Sequence, residues 1–158
     1  MSSASKTVKI APSVLASDFG KLADEIKAVS LAGADWIHLD AMDGRFVPNL
    51  TFGPPVIKAV REITDVYFDA HLMIEDPDVI LEDFALAGVQ GITVHVEVCA
   101  HLNRTLSRIR ELGCRAGVAV NPATGVDSLA HCLHLTDLIL VMTVNPVSYT
   151  HLRAHETT

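Results

Sequence analysis

Two stretches of the sequence each place a histidine two residues from an aspartate in strand-like, apolar surroundings: His38 with Asp40, and Asp69 with His71. Alternate residues of a β-strand face opposite sides, so each pair shares one face while its apolar neighbours take the other. Two imidazoles and a carboxylate on adjacent strands suit a divalent first-row metal that keeps open positions for substrate oxygens. A single such histidine is more often a hydrogen-bonded core residue, but its repetition on two strands makes a metal site an equal hypothesis.

Two other sets of side chains are weaker candidates for chemistry. His95 and Glu97 share one face of a later strand-like run, and they fit either a pocket lining or an ordinary hydrogen-bonded pair. The three cysteines stand far apart, with no pair at the C-x-x-C spacing of a zinc or redox motif. We interpret Cys99, Cys114 and Cys132 as reduced packing residues.

The strands that carry these residues belong to a regular alternation of β-like apolar runs and segments with helical periodicity. Such alternation, at about 25 residues per unit, predicts right-handed crossovers and a parallel sheet. Proline in the first turn and glycine after the last turn mark several of the helices. The predicted strands are 8–14, 36–41, 66–73, 91–96, 115–120 and 138–143, and the predicted helices are 18–32, 54–63, 77–87, 102–112 and 125–133.

The length of the chain bears on which α/β fold these elements can build. A closed eight-stranded β/α barrel takes about 250 residues, so 158 residues fit either an open doubly wound sheet or a barrel cut short. A dinucleotide-binding sheet needs a glycine-rich turn after its first strand, whereas residues 16–20 read ASDFG. The sequence therefore excludes a Rossmann-type dinucleotide site but leaves both sheet architectures open.

Composition excludes several classes of partner. Lys and Arg number 12 against 19 Asp and Glu, a formal charge of −7, so no basic surface is available for a nucleic-acid backbone. The longest apolar run, residues 138–144, is far shorter than the roughly 20 residues that cross a bilayer. Residues 1–9 lack the features of a secretory signal or a transit peptide. We expect a cytoplasmic protein with no nucleic-acid or membrane partner.

Five segments together resemble the ribulose-phosphate 3-epimerase family in their order and spacing. They are APSVLASDF (11–19), WIHLDAMDGRFVPN (36–49), FDAHLMIEDP (68–77), ITVHVE (92–97) and VMTVNP (141–146). The resemblance implies a (β/α)8 TIM-barrel-type fold, here truncated after about six strands and five helices. It also implies a small sugar phosphate as the partner, because the family interconverts ribulose 5-phosphate and xylulose 5-phosphate by inverting carbon 3. The intact family member is expected to be a homo-oligomer.

The resemblance also assigns roles to individual residues. His38, Asp40 and His71 would bind one divalent cation, which could be Zn, Fe, Mn or Co, and Asp40 would in addition be an acid/base. Inversion requires acid/base groups on both faces of the carbon. The family's second such group, and fourth protein ligand, is an Asp on a seventh strand.

Other residues are assigned to the substrate by the same resemblance. Ser13, at the end of the first predicted strand, and His71 would contact it directly. The side chains of three methionines, which cannot take a proton, would cover it: Met42, Met73 and Met142. Without the resemblance, methionines in such positions are more often core residues.

The last part of the sequence departs from the pattern of the rest. Residues 147–158, VSYTHLRAHETT, show no apolar periodicity, no capping pattern and no glycine. We predict a partial barrel domain over residues 1–146 and a non-native or disordered tail over 147–158. In the family, a glycine-rich phosphate loop directly follows the Asn-Pro dipeptide that stands at residues 145–146 here. Residues 147–158 contain no glycine, so this loop is missing and we expect an inactive or impaired epimerase. The alternatives are a ketohexose-phosphate 3-epimerase and a non-catalytic remnant that binds metal.

Overall fold

The computed structural model describes residues 8–146, so the predicted tail at 147–158 lies outside the described residues. One parallel sheet contains five strands, and their order in the sheet is their order in the chain. In a doubly wound sheet the order of the strands reverses part-way across the sheet. The consecutive order found here is that of a barrel. The fold class is confirmed as part of a β/α barrel. The strands are β1 Trp36–Met42, β2 Tyr67–Met73, β3 Gly91–His95, β4 Arg115–Val120 and β5 Leu138–Val141.

Four α-helices lie along this sheet in the described part of the chain: α1 Leu22–Leu31, α2 Pro54–Val60, α3 Leu81–Leu86 and α4 Leu102–Glu111. They correspond to four of the five predicted helices, with 3₁₀ turns at several ends. The fifth prediction, over residues 125–133, is wrong, because two short 3₁₀ helices, Val126–Leu129 and Leu133–Leu135, occupy this region. The side chains turned inward here recur every three residues, at Leu129, Cys132 and Leu135, which is the period of a 3₁₀ helix.

The first predicted strand, residues 8–14, is an extended segment rather than a regular strand. It lies beside β1, where Pro12 accepts a hydrogen bond from the N–H of His38 (2.9 Å) and Ser13 forms an isolated parallel bridge with His38. Proline has no N–H to donate, so it interrupts the ladder. The chain then enters a 3₁₀ turn at Val14–Ala16. The segment still places Ser13 next to β1.

The two faces of the sheet differ in chemistry. The outer face is apolar and packs on the helices, and its buried residues include Ile37, Leu39, Phe68, Leu72, Ile92 and Val94. The inner face carries the polar residues that the alternation predicted. Two of the three cysteines, Cys114 and Cys132, are buried in the apolar core. None of the helices in residues 8–146 is long and apolar enough to cross a membrane.

Asp137 anchors the start of β5 to the rest of the sheet. Its Oδ2 accepts a hydrogen bond from the backbone N–H of Ala116 in β4 (2.9 Å) and one from Arg110 Nη1 in α4 (2.6 Å). The hydrogen bond from the Ala116 N–H contributes most to holding the pKa of Asp137 below its usual range; burial acts against it, and the hydrogen bond and charge of Arg110 add to the lowering. One carboxylate thus joins α4, β4 and β5.

We expect Asp137→Asn to destabilise the protein by about 1 kcal/mol near pH 7, because it removes the charge from two hydrogen bonds in a partly exposed pair. A lowered folded-state pKa stabilises the protein above the unfolded carboxyl pKa, about 3.9, and this contribution is lost as the pH falls through the folded value. The difference in the free energy of unfolding between parent and variant should therefore shrink at acidic pH. Urea unfolding at several pH values measures it.

The matched control for this experiment is Asp127→Asn, which alters an exposed aspartate in the first of the two 3₁₀ helices before β5. Its stability should follow that of the parent across the whole pH range. Equal losses in the two variants, or a loss in Asp137→Asn that does not change with pH, would contradict the anchoring role of Asp137.

Candidate metal centre

The register between β1 and β2 brings the predicted ligands together. The strands pair in parallel with His38 opposite Asp69 and Asp40 opposite His71. One ligand atom from each of His38, Asp40 and His71 lies within 4.8 Å of the other two. Asp40 Oδ1 is the centre of the group, 2.9 Å from His71 Nδ1 and 3.3 Å from His38 Nε2.

Asp40 is held in place at both its side chain and its backbone. Ser13 Oγ donates a hydrogen bond to Asp40 Oδ2 (2.5 Å), the oxygen that the imidazoles leave free. Thr51 Oγ1 donates to the carbonyl oxygen of Asp40 (2.7 Å) and accepts the N–H of Met42 (3.0 Å). The predicted contact of Ser13 with substrate is not tested by this arrangement, which shows the Ser13 hydroxyl engaged with Asp40.

Each imidazole has a partner for its outer nitrogen. His38 Nδ1 lies 2.9 Å from Asp69 Oδ2. His71 Nε2 lies 2.8 Å from His95 Nε2, and His95 Nδ1 lies 3.1 Å from Glu97 Oε2. The face-sharing pattern identified His95 and Glu97 as possible pocket residues, but it did not identify Asp69 as a partner of His38. That contact follows from the pairing of His38 with Asp69 in the register of β1 and β2, which the pattern within one strand does not determine.

The inward-facing atoms of the group are suited to a cation. Asp69 is an acceptor when ionised, so His38 donates from Nδ1 and, as a neutral ring, presents the lone pair of Nε2 to Asp40. His71 Nδ1 faces the same carboxylate oxygen and, when it carries no proton, presents its lone pair there as well. Three acceptors facing one another at these distances repel unless a proton or a metal ion lies among them. The donor set, two nitrogens and one oxygen, fits Zn, Fe, Mn or Co.

The shifts in pKa reflect the same crowding of acceptors. Burial opposes the charged form of His38, but hydrogen bonds to Asp40 and Asp69 and their negative charges outweigh it and raise the pKa of His38 to about 10. Burial likewise acts to raise the pKa of Asp40, yet the interactions with His38 and His71 hold that pKa far below its usual range. Burial, with the charge of His71, lowers the pKa of His95 to about 4 against the effect of Glu97.

The three methionines are not all placed together. Met42 and Met73 are opposite each other in the register of β1 and β2, and both are buried in a small cluster with Val47. Met142 directly follows β5, which is the edge strand opposite β1. Its side chain is half-buried, and its backbone N–H donates a hydrogen bond to the carbonyl oxygen of Val120 (3.0 Å). The proposed contact of these side chains with substrate stays a prediction.

Comparison with known sequences identifies the family. The chain matches the sequence model of the ribulose-phosphate 3 epimerase family over residues 9–149. The chain belongs to this family. It is 56% identical over 144 residues to ribulose-phosphate 3-epimerase of Synechocystis sp., covering 90% of the chain and 63% of that relative. Identity to the enzyme of Bacillus subtilis is 52% over 139 residues, covering 88% of the chain and 64% of the relative.

The similarity extends across kingdoms but covers only part of each relative. Identity to the chloroplastic ribulose-5-phosphate-3-epimerase of Arabidopsis thaliana is 48% over 139 residues, covering 87% of the chain and 50% of the relative. The chain thus spans between half and two thirds of the length of these family members. A solved structure of Yersinia pestis DHPS superposes with a TM-score of 0.57 at 11% identity, covering 80% of the chain and 54% of that protein, which supports the fold alone.

We expect the tag-free protein to bind one divalent ion, and the His38→Ala/His71→Ala variant to lose this binding, because two of the three ligands are removed. Calorimetric titration with Zn²⁺ and the visible spectrum of added Co²⁺ measure it. The control is His101→Ala/His134→Ala, which removes two exposed histidines away from the sheet interior. Equal metal uptake by the two double variants would contradict the assignment.

We expect Asp69→Asn to lower metal affinity by about 10- to 100-fold, because a charged acceptor on the outer nitrogen of a ligating histidine orients the ring and raises its basicity. The measurement is the same titration at fixed pH. Asp65→Asn, an exposed aspartate just before β2, should keep the affinity of the parent. Unchanged affinity in a folded Asp69→Asn protein would show that Asp69 does not support the metal centre.

Proposed function

We propose that this chain supplies the metal-binding and proton-accepting part of an enzyme that inverts carbon 3 of ribulose 5-phosphate to give xylulose 5-phosphate. The observation that carries the proposal is the environment of Asp40, together with the membership of the chain in this family. Its carboxylate is buried, contacts both imidazoles through one oxygen and meets the Ser13 hydroxyl through the other. Such a carboxylate can bind a cation with one oxygen and exchange a proton at the other.

The residues around Asp40 divide its two oxygens between these tasks. Oδ1 faces His38 and His71, and the two imidazoles keep the carboxyl ionised at neutral pH. Oδ2 faces Ser13, whose hydroxyl fixes the plane of the carboxylate. Because Oδ1 is engaged with the two imidazoles, we infer that Oδ2 accepts the proton that leaves carbon 3. A base must lie within hydrogen-bond reach of the proton that it removes.

The proposed cofactor is one divalent cation held by His38, Asp40 and His71. When bound, such a cation stabilises the negative charge that develops on the two neighbouring substrate oxygens as the proton leaves. The buried pair Met42 and Met73 lies at the end of the same two strands and offers polarisable, aprotic contacts to the substrate. Met142 would approach from β5.

Completion of the inversion requires groups in addition to Asp40 and the cation. A second acid/base must deliver a proton to the opposite face of the carbon, and the family resemblance assigns this to an Asp on a seventh strand. Barrel enzymes commonly hold phosphate on loops after late strands. We propose that, in the relatives, both functions belong to the part of the sequence that this chain does not match.

A cytoplasmic location and a homo-oligomeric assembly also stay predictions, and one relative is named as chloroplastic.

We expect a chimera of residues 1–146, continued by the corresponding C-terminal part of the Synechocystis relative, to convert ribulose 5-phosphate in a coupled transketolase assay with added metal. Asp40→Asn in the chimera should reduce turnover by about 10²- to 10⁴-fold, the usual contribution of an acid/base group. Asp65→Asn is the control and should keep the parent rate. The 158-residue chain by itself should show no turnover above background.

Each outcome separates the proposed function from its alternatives. A chimera that inverts only a ketohexose phosphate would support the six-carbon alternative. A chimera that binds metal but turns over neither substrate would support the non-catalytic alternative. Undiminished turnover by the Asp40→Asn chimera would contradict the proposed role of Asp40.

A further inference from the structure

Glu97, just beyond the end of β3, is anchored by the segment that follows β4. Its Oε1 accepts the backbone N–H of Asn121 (2.7 Å) and the hydroxyl of Thr124. Its Oε2 faces His95 Nδ1 at 3.1 Å. Because a backbone N–H can only donate, the contact with Asn121 determines which way a side-chain acceptor at position 97 must be oriented.

The direction of hydrogen bonding continues from Glu97 through His95 to His71. A carboxylate only accepts, so His95 donates from Nδ1. The side chain of His95 has no exposed surface, and the ring of Phe46 lies 4.8 Å from it between centroids. A neutral imidazole that donates from Nδ1 offers Nε2 only as an acceptor. His95 Nε2 is therefore a bare acceptor, and the nitrogen 2.8 Å away, His71 Nε2, must donate.

We propose that Glu97 and His95 are positioning residues that set the direction of hydrogen bonding at His71, keeping its proton on Nε2 and leaving Nδ1, which faces Asp40 Oδ1, unprotonated so that it can bind the cation. This inference rests on the proposed metal centre. His38 reaches the same state directly, through Asp69, whereas His71 reaches it through a second imidazole. The loop at residues 121–124 thereby acts on a ligand that lies two strands away.

The substitution Glu97→Gln tests the direction without changing the shape of the side chain. In this variant the amide oxygen at position 97 must face the Asn121 N–H, so the amide NH₂ group faces His95 Nδ1. That nitrogen must then accept, which moves the His95 proton to Nε2 and makes His71 Nε2 an acceptor. A neutral His71 then carries its proton on Nδ1, the nitrogen that must be unprotonated to bind the cation.

We expect Glu97→Gln to lower the affinity for Zn²⁺ by about 10- to 100-fold, measured by calorimetry. In the metal-free, ¹⁵N-labelled protein, long-range ¹H–¹⁵N correlation spectra should show His95 protonated on Nδ1 in the parent and on Nε2 in the variant. A side chain that only supported the fold would not exchange these two nitrogens. Glu62→Gln, at an exposed position, is the matched control and should match the parent in both measurements.

His95→Gln provides a second variant and identifies the His95 signals by their loss. Its amide can donate to Glu97 and accept from His71 Nε2, so affinity should stay within about tenfold of the parent. Parent-like affinity and an unchanged His95 tautomer in folded Glu97→Gln would overturn the proposal. If the parent binds no metal, the proposed metal centre fails, and the tautomer measurement still decides whether Glu97 directs the hydrogen bonds.

Discussion

The buried, ionised carboxylate of Asp40 is the constraint on which the rest of the site depends. A charge in the interior is costly unless it is paired and hydrogen-bonded. Asp40 Oδ2 accepts the hydroxyl of Ser13, from the extended chain before α1, while Oδ1 faces the imidazoles of His38 on β1 and His71 on β2, where a proton or a cation must complete the pairing. Since a neutral imidazole that donates to an outer partner turns a lone pair toward Oδ1, the same arrangement creates a place for a cation.

The parallel register of β1 and β2 is what delivers these partners. A shift of one residue would turn His71 toward the helices and bring Leu72 or Ala70 to the inner face. The apolar outer face opposes such a shift, since Phe68, Ala70 and Leu72 are all fully buried there. Packing of the helices on one side of the sheet therefore holds the polar residues in place on the other.

The sequence predicted the inner face well, because strand alternation is a local property that needs no knowledge of the fold. It placed His38, Asp40 and His71 on one side of their strands, and the structure brings them together. The contact of Asp69 with His38 depends on register between strands, which short-range patterns do not determine. The irregular first strand and the 3₁₀ helices at 126–135 were missed for local reasons, a proline in the ladder and a three-residue period that resembles a helix.

Small residues on β4 provide the room that the inner face of β3 requires. Gly117 and Ala119 stand opposite Thr93 and His95 in the register, and a Cβ on Gly117 would collide with the Thr93 side chain. The side chain of Thr93 therefore occupies the space that a larger residue on β4 would fill. With Ala119 opposite it, His95 can be wholly buried and still contact both His71 and Glu97. A larger side chain at position 119 would compete with the imidazole for this space. The run of small residues in β4 is thus part of what allows a histidine to link a surface loop to the metal centre.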